Sequence, residues 1–213
     1  MLDVGCGSGL ACALAAKRGA EVAGLDAASK LLEIASERVP SGDFRVGDMQ
    51  ELPYDDSSFD VVTFINSYFF AEDPHAPLAE AARVTRSGGT VAVVVWTEPE
   101  RVALSAYLAA LAPLMPSSFR PPEVFIEAAE LERRARGAAL EPREVVDLEW
   151  SWGYPDLATA QRGLLSAGPS TLATETSGEQ AVRDVLTAAL EPFRHLDAGY
   201  RLENVCRCLV AAA

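Results

Sequence analysis

The sequence predicts an α/β chain built on a mostly parallel sheet. Three observations carry that expectation. Short apolar runs alternate with helix-periodic stretches through the first hundred residues. The first run passes directly into a glycine loop, Gly5-Cys6-Gly7-Ser8-Gly9, which feeds a helix. Each of the first four runs then ends at a glycine, an acidic residue or an amide. In an open α/β sheet, ligands bind at the carboxyl ends of the strands.

The elements follow in order. Residues 2–4 form the first strand, and residues 10–18 read as a helix closed by Gly19. Residues 22–25 form the second strand, ending in Asp26. A helix pattern through Leu31, Leu32, Ile34 and Ala35 stops at Pro40. The third strand, 44–46, ends in Gly47-Asp48-Met49, and the fourth, 59–65, ends in Asn66. Asp73-Pro74-His75-Ala76-Pro77 reads as a helix start, which makes His75 a solvated cap rather than a general base. The run 90–96 is nearly all β-branched, as a central strand buried on both faces should be. Further on, the pattern predicts helices over 104–114 and 123–136, and a sixth strand over 144–150. Two helices follow, 157–167 and 179–190, separated at Gly168-Pro169. Residues 200–210 alternate as a last strand. His195 precedes an Asp197-Ala198-Gly199 turn and is read as solvated.

The glycine loop excludes two nucleotide motifs. A dinucleotide fingerprint would need its third glycine at position 10 or 12, where Leu10 and Cys12 stand. A P-loop would need a lysine, and none precedes Lys17. What remains is Asp3-x-Gly5-x-Gly7-x-Gly9. Asp3 is a carboxylate inside a strand, placed to meet a cationic ligand. Asp26 follows it by 23 residues, near the spacing at which an acidic residue meets ribose hydroxyls.

Taken in order, these segments resemble the class I S-adenosylmethionine-dependent methyltransferases, especially small-molecule enzymes of the quinone-biosynthesis type. The resemblance is dense from Met1 to about Trp96. It rests on the loop at 2–9, Gly24-Leu25-Asp26-Ala27-Ala28, Gly47-Asp48-Met49, Leu52-Pro53 with Phe59-Asp60-Val61-Val62, and Arg83-Val84 with Gly88-Gly89. Ser87 replaces the family's usual proline. The resemblance implies a Rossmann-like, doubly wound, seven-stranded sheet, mostly parallel, with the last strand antiparallel between the fifth and sixth. It implies one domain over 1–213, with a helical insertion or lid, 151–198, in the last crossover. It also implies the cofactor S-adenosylmethionine. Asp3 would face its amino group and orient the loop. Gly5, Cys6, Gly7 and Gly9 would line its methionine part. Asp26 would hold the ribose, with Ala27 beside the adenine. Asp48 and Met49 would meet the adenine edge, and Asn66 would close the methionine end. A helix is expected after each of strands one to five. The family's helix ahead of the first strand has no counterpart here, so a truncated start is expected, with a folded-back lid or a second subunit as the other ways to cover that face.

Composition bounds the partners. The net charge is −13, spread as −7 over residues 1–97 and −6 over the rest. Such a chain repels phosphate backbones, so nucleic acid is not an expected partner. No apolar run approaches a membrane span. Cys6, Cys12, Cys206 and Cys208 are read as reduced thiols of a cytoplasmic protein, with no metal site. Aromatic residues Tyr68, Phe69, Trp96, Trp152 and Tyr154 follow or end strands, and are the candidate lining for a small-molecule acceptor. The sequence names no catalytic residue. The expected activity is methyl transfer by direct in-line displacement. The alternative is a non-catalytic protein that binds the same cofactor.

Overall fold

The computed structural model describes residues 1–195 and 199–213. They form two compact units, one of Met1–Trp96, Pro122–Leu148 and Cys206–Ala213, the other of Thr97–Pro121 and Glu149–Val205.

The first unit carries the sheet, apart from residues 149–154 and 200–205 of its last two strands. Its strands are β1 (Leu2–Val4), β2 (Ala23–Asp26), β3 (Asp43–Val46), β4 (Phe59–Ile65), β5 (Thr85–Trp96), β6 (Glu141–Tyr154) and β7 (Tyr200–Ala212). The spatial order is β3-β2-β1-β4-β5-β7-β6. β1 pairs in parallel with β2 and β4, β2 with β3, and β4 with β5; β7 is antiparallel to β5, from Thr90↔Ala212 to Trp96↔Cys206. This is the expected doubly wound sheet with its last strand reversed. The order reverses direction at β1, where the chain leaves toward β2 on one side and later returns to β4 on the other. That switch point opens a crevice at the strand ends.

Packing explains the strand sequences. Leu2, Val4, Val62, Phe64, Val91, Val93 and Val95 are all completely buried in one core. Helices α1 (Leu10–Ala16), α2 (Ser29–Arg38), α3 (Ala76–Val84) and α5 (Ala128–Gly137) belong to this unit. α1 is made of Leu, Ala and Cys, and its end is marked by Gly19 at φ 88°.

Four expectations change. No helix joins β3 to β4. The link is a turn at 48–51 followed by a polar loop containing Pro53 and Asp55-Asp56-Ser57-Ser58, too rich in turn residues to continue a helix. The helix predicted over 123–136 starts only at Ala128. Before it, Phe125 bridges Trp96 in parallel, and Ile126 N–H donates to the Trp96 carbonyl at 3.2 Å. After Pro121-Pro122, the β-branched Val124 and Ile126 extend the chain along the tip of β5. β5 begins at Thr85, ahead of the predicted 90, through a register shift between Phe59↔Thr85 and Val61↔Thr90. β6 runs over 141–154 and exceeds the predicted 144–150 at both ends.

The second unit holds α4 (Leu104–Leu111), α6 (Leu157–Leu165), α7 (Gly168–Ser177) and α8 (Glu179–Leu190). The region after β6 therefore contains three helices where two were predicted. Gly168-Pro169 starts α7 instead of merely ending α6, because proline fits a helix's first turn. Asp156 caps α6 by accepting from Thr159 N–H at 2.7 Å. α8 buries Val182, Leu186 and Leu190 at four-residue spacing. Its core also takes Tyr107 and Leu111 from α4, so the insertion's helices share their packing with the segment after β5. The expected insertion end, 196–198, and the Asp197-Ala198 turn lie outside the described residues.

Candidate functional site

The ends of β3, β2, β1 and β4 are neighbours in the sheet, and each delivers one of the predicted groups: Asp48, Asp26, the glycine loop and Asn66. The structure brings these four together at one rim, all within the first unit.

The three loop glycines have positive φ, at 72°, 52° and 75° for Gly5, Gly7 and Gly9. Their surroundings differ. A Cβ on Gly5 would lie 2.3 Å from Ser67 Cβ, and one on Gly9 would lie 2.9 Å from Ala35 Cβ. Those two positions are reserved by the protein's own packing. A Cβ on Gly7 would meet nothing within 4 Å, so the space above Gly7 is open to a ligand.

Asp26 shapes the loop. One carboxylate oxygen accepts from Gly7 N–H at 2.8 Å, and the other accepts from Ala28 N–H at 2.9 Å. Gly5 and Cys6 N–H both donate to the Leu25 carbonyl, at 2.7 and 3.0 Å. The Cys6 side chain turns inward, where its sulfur fills the notch above Gly24. Ala27 is exposed beside Asp26.

Asp3 is only 2% exposed. Thr63 Oγ1 donates to it at 2.7 Å. Burial pushes its pKa up to about 6, against the Thr63 hydrogen bond, which favours the charged form; the nearby Asp26 charge adds to the rise. A cation delivered to this carboxylate would offset that cost. Asp48 is exposed and accepts from Gln50 N–H at 2.8 Å, which fixes the turn after β3. Met49 packs half-buried against the core. Asp3, Asp26 and Asp48 have no ion-pair partner among the described residues, so the rim presents uncompensated negative charge.

Asn66 is the most constrained residue here. Its φ is 55°, in the left-handed region, and its side-chain Oδ1 is buried without a hydrogen-bond partner. A buried orphan acceptor costs roughly 1–3 kcal/mol, and such a group at a ligand rim is an acceptor awaiting a donor. Together, an open cradle at Gly7, carboxylates for hydroxyl and ammonium donors, and an unused amide oxygen fit S-adenosylmethionine.

Three residues of the rim escaped sequence reasoning. Ser67 donates to the Val4 carbonyl at 2.5 Å and packs on Gly5. Thr63 holds Asp3. Gln50 accepts from Asp73 N–H at 2.9 Å, tying the turn after β3 to the loop after β4. For Thr63 the available signal was a hydroxyl residue interrupting the apolar run 61–65.

The aromatic candidates are divided. Tyr68 is completely buried, with its hydroxyl donating to the Pro74 carbonyl at 2.6 Å. Phe69 packs against the same core and touches the exposed Phe70, with ring centres 4.8 Å apart. Trp96 is buried at the end of β5. Trp152 and Tyr154 belong to the second unit, half-buried against its core. His75 is exposed at the N-terminus of α3, and its N–H donates to Asp73 at 2.9 Å. The four cysteines are free; burial pushes the Cys6 and Cys12 thiols up to about 12. Among the described residues, no helix is long and apolar enough to cross a membrane, and no cluster of ligands could hold a metal ion.

Residues 2–93 match the methyltransferase domain family. A demethylmenaquinone methyltransferase from Renibacterium salmoninarum is 31% identical over 156 residues, covering 71% of this chain and 66% of its own length. A ubiquinone biosynthesis O-methyltransferase from Dechloromonas aromatica is 31% identical over 158 residues, covering 71% of this chain and 68% of its own length. The chain thus spans about two thirds of these relatives. The YcgJ protein of Bacillus subtilis, at 20% identity, has the same fold, with a TM-score of 0.64 over 99% of this chain and 90% of that one. The chain belongs to the S-adenosylmethionine-dependent methyltransferases.

Proposed function

We propose that the protein transfers the methyl group of S-adenosylmethionine to a small organic acceptor of the quinol or phenol class. The carrying observation is the rim itself. Gly7 leaves open backbone, Asp26 and Asp3 present acceptors, and the Asn66 oxygen is buried without a donor. The acceptor class is suggested by the names of the relatives, both of which act in quinone biosynthesis or on a demethylmenaquinone.

When bound, the cofactor supplies a methyl group already activated on a sulfonium. The chain's residues then have three tasks. Asp26 and the open backbone at Gly7 would hold the ribose and methionine portions, while Asp48 and Met49 would bound the adenine. Asp3 balances the cationic end. Asn66 accepts from the amino group and so fixes the donor's orientation. Alignment for in-line displacement at about 3–3.5 Å, with water excluded, accounts for the acceleration. A phenol that reaches the site as its phenolate, its proton lost to solvent, needs no base from the chain. The acidic balance of the chain argues against nucleic acid as the acceptor, and free thiols fit a cytoplasmic setting.

The test pairs a calorimetric titration of S-adenosylmethionine with a turnover assay. Release of S-adenosylhomocysteine is followed against a panel of hydroquinones, catechols, amines and thiols. Turnover with a phenolic member supports the reading. Binding without turnover on any member would instead establish a non-catalytic cofactor-binding protein.

A further inference from the structure

Asp3 has sparse surroundings for a buried carboxylate. Leu2 and Val4 face the core, so Asp3 projects from the opposite side of β1. Its cross-strand neighbours are Gly24 on β2 and Thr63 on β4. Gly24 brings no side chain. Thr63 Oγ1 is the hydrogen-bond donor to Asp3 among the described residues, at 2.7 Å. The same hydroxyl lies 3.4 Å from the Leu2 carbonyl, the other acceptor it could choose.

The remaining titratable groups around Asp3 are few. Asp26 approaches from the end of β2, Cys6 from the loop and Cys12 from α1. Both thiols are pushed up to about 12 and stay neutral through the physiological range. Asp26 carries like charge and works against ionisation of Asp3. Thr63 is thus the neighbouring group that favours the charged carboxylate.

We propose that Thr63 is a positioning residue, whose hydroxyl keeps the Asp3 carboxylate ionised and oriented toward the cationic end of the cofactor. This rests on the reading of Asp3 as a cofactor contact. A hydrogen bond to an ionised acceptor is worth more than one to a neutral acceptor. Removing it shifts the balance toward the protonated acid, which neither attracts a cation nor stays aimed at one. Valine has nearly the shape of threonine, so Thr63→Val deletes the donor while retaining a β-branched residue suited to a strand.

Two measurements decide the matter. The first is the ionisation midpoint of Asp3 in the cofactor-free protein, read from its carboxyl ¹³C shift. Thr63→Val should raise that midpoint by about one to two pH units, and Thr63→Ser should leave it near the native value. The second is the dissociation constant for S-adenosylmethionine between about pH 5.5 and about pH 8.5. Thr63→Val should weaken binding roughly two- to tenfold near pH 7, with the loss shrinking as pH rises past the new midpoint. If Thr63→Val does not fold by circular dichroism, Thr63→Ala takes its place. A midpoint unmoved by loss of the hydroxyl overturns the proposal, whether or not cofactor binds. A binding loss equal at every pH overturns it too, since that is what a general structural defect produces. If the midpoint moves but the native protein binds no S-adenosylmethionine at any pH, the cofactor reading of the rim fails instead.

Discussion

The strand-end rim and the helical second unit are built on opposite principles. The second unit is apolar periodicity made solid: Leu164, Leu186, Leu190 and Leu202 share one core with Tyr107 and Leu111, and its polar groups find partners within the unit, as where Asp156 caps α6 and Tyr107 Oη meets Ser170 Oγ at 3.0 Å. The rim has positive-φ glycines, a left-handed asparagine, a buried carboxylate and an orphaned amide oxygen. The last three of these lower the stability of the empty protein. A region that spends stability on unsatisfied groups is shaped for something it binds, whereas one whose polar groups find partners within their own unit is shaped to persist.

Substitutions should separate the two. The largest effect is expected for Gly7→Val. The side chain has room in the empty protein, so the fold survives with a modest backbone penalty of about 1–3 kcal/mol. It would occupy the ligand's space, and calorimetry should find S-adenosylmethionine binding abolished. Retained affinity would show that the open space at Gly7 is not the cradle. The reverse pattern is expected for Leu186→Ala. Denaturant unfolding should show a loss of about 2–5 kcal/mol, while cofactor affinity of the folded protein stays within about twofold. A large loss of affinity would break the division between the two regions.

Asp3→Asn tests the cost stored at the rim. The Asp3 carboxyl titrates at about 6 in the folded chain, against 3.8 when free. Because the folded value is raised, the fold favours the protonated acid. The stability this gives is fully present below pH 3.8 and is lost as pH rises through about 6. Asn mimics the protonated form at every pH. The variant should therefore melt higher than the native protein at pH 8, by up to about 3 kcal/mol, with a smaller gain at pH 5. It should bind cofactor more weakly throughout. A variant less stable than native at pH 8 would refute this account of Asp3. The smallest effect is expected for Asp26→Ala, which loses charge-assisted hydrogen bonds worth about 1.5–3 kcal/mol. Cofactor binding should weaken on the order of 10–100-fold, and part of that loss should appear as a looser glycine loop, since Gly7 N–H also loses its partner. Faster amide exchange at Gly7 would register it.

The rim was largely legible because its residues punctuate apolar runs. Asp26, Asp48 and Asn66 each stand where a strand pattern stops, and strand ends are where an open sheet binds ligands. Thr63, Ser67 and Gln50 were not legible. Their partners are Asp3, the Val4 carbonyl and Asp73, and those pairings exist only once the strands are in register. Two helix boundaries were misread for local reasons. Residues 123–127 carry acidic residues common in helices, but the tip of β5 offers Val124 and Ile126 a ladder to join. Gly168-Pro169 serves equally as a stop and as a start, and only the packing of α7 on α8 and α4 decides. The second unit's core was readable from its leucine spacing, yet the share taken by α4 was not, because α4 and α8 lie far apart in the chain.

The notch above Gly24 has a consequence for how this sequence can vary. Cys6 Sγ and the Phe44 ring both lie 2.7 Å from where a Cβ on Gly24 would stand. Positions 6, 24 and 44 therefore share one volume and cannot be altered independently. Gly24→Ala alone should be tolerated poorly, Gly24→Ala combined with Cys6→Gly should recover part of the loss, and adding Phe44→Leu should recover more. In a library that randomises the three positions together, the surviving chains should show anticorrelated side-chain sizes, a covariation with its origin in three atoms of packing.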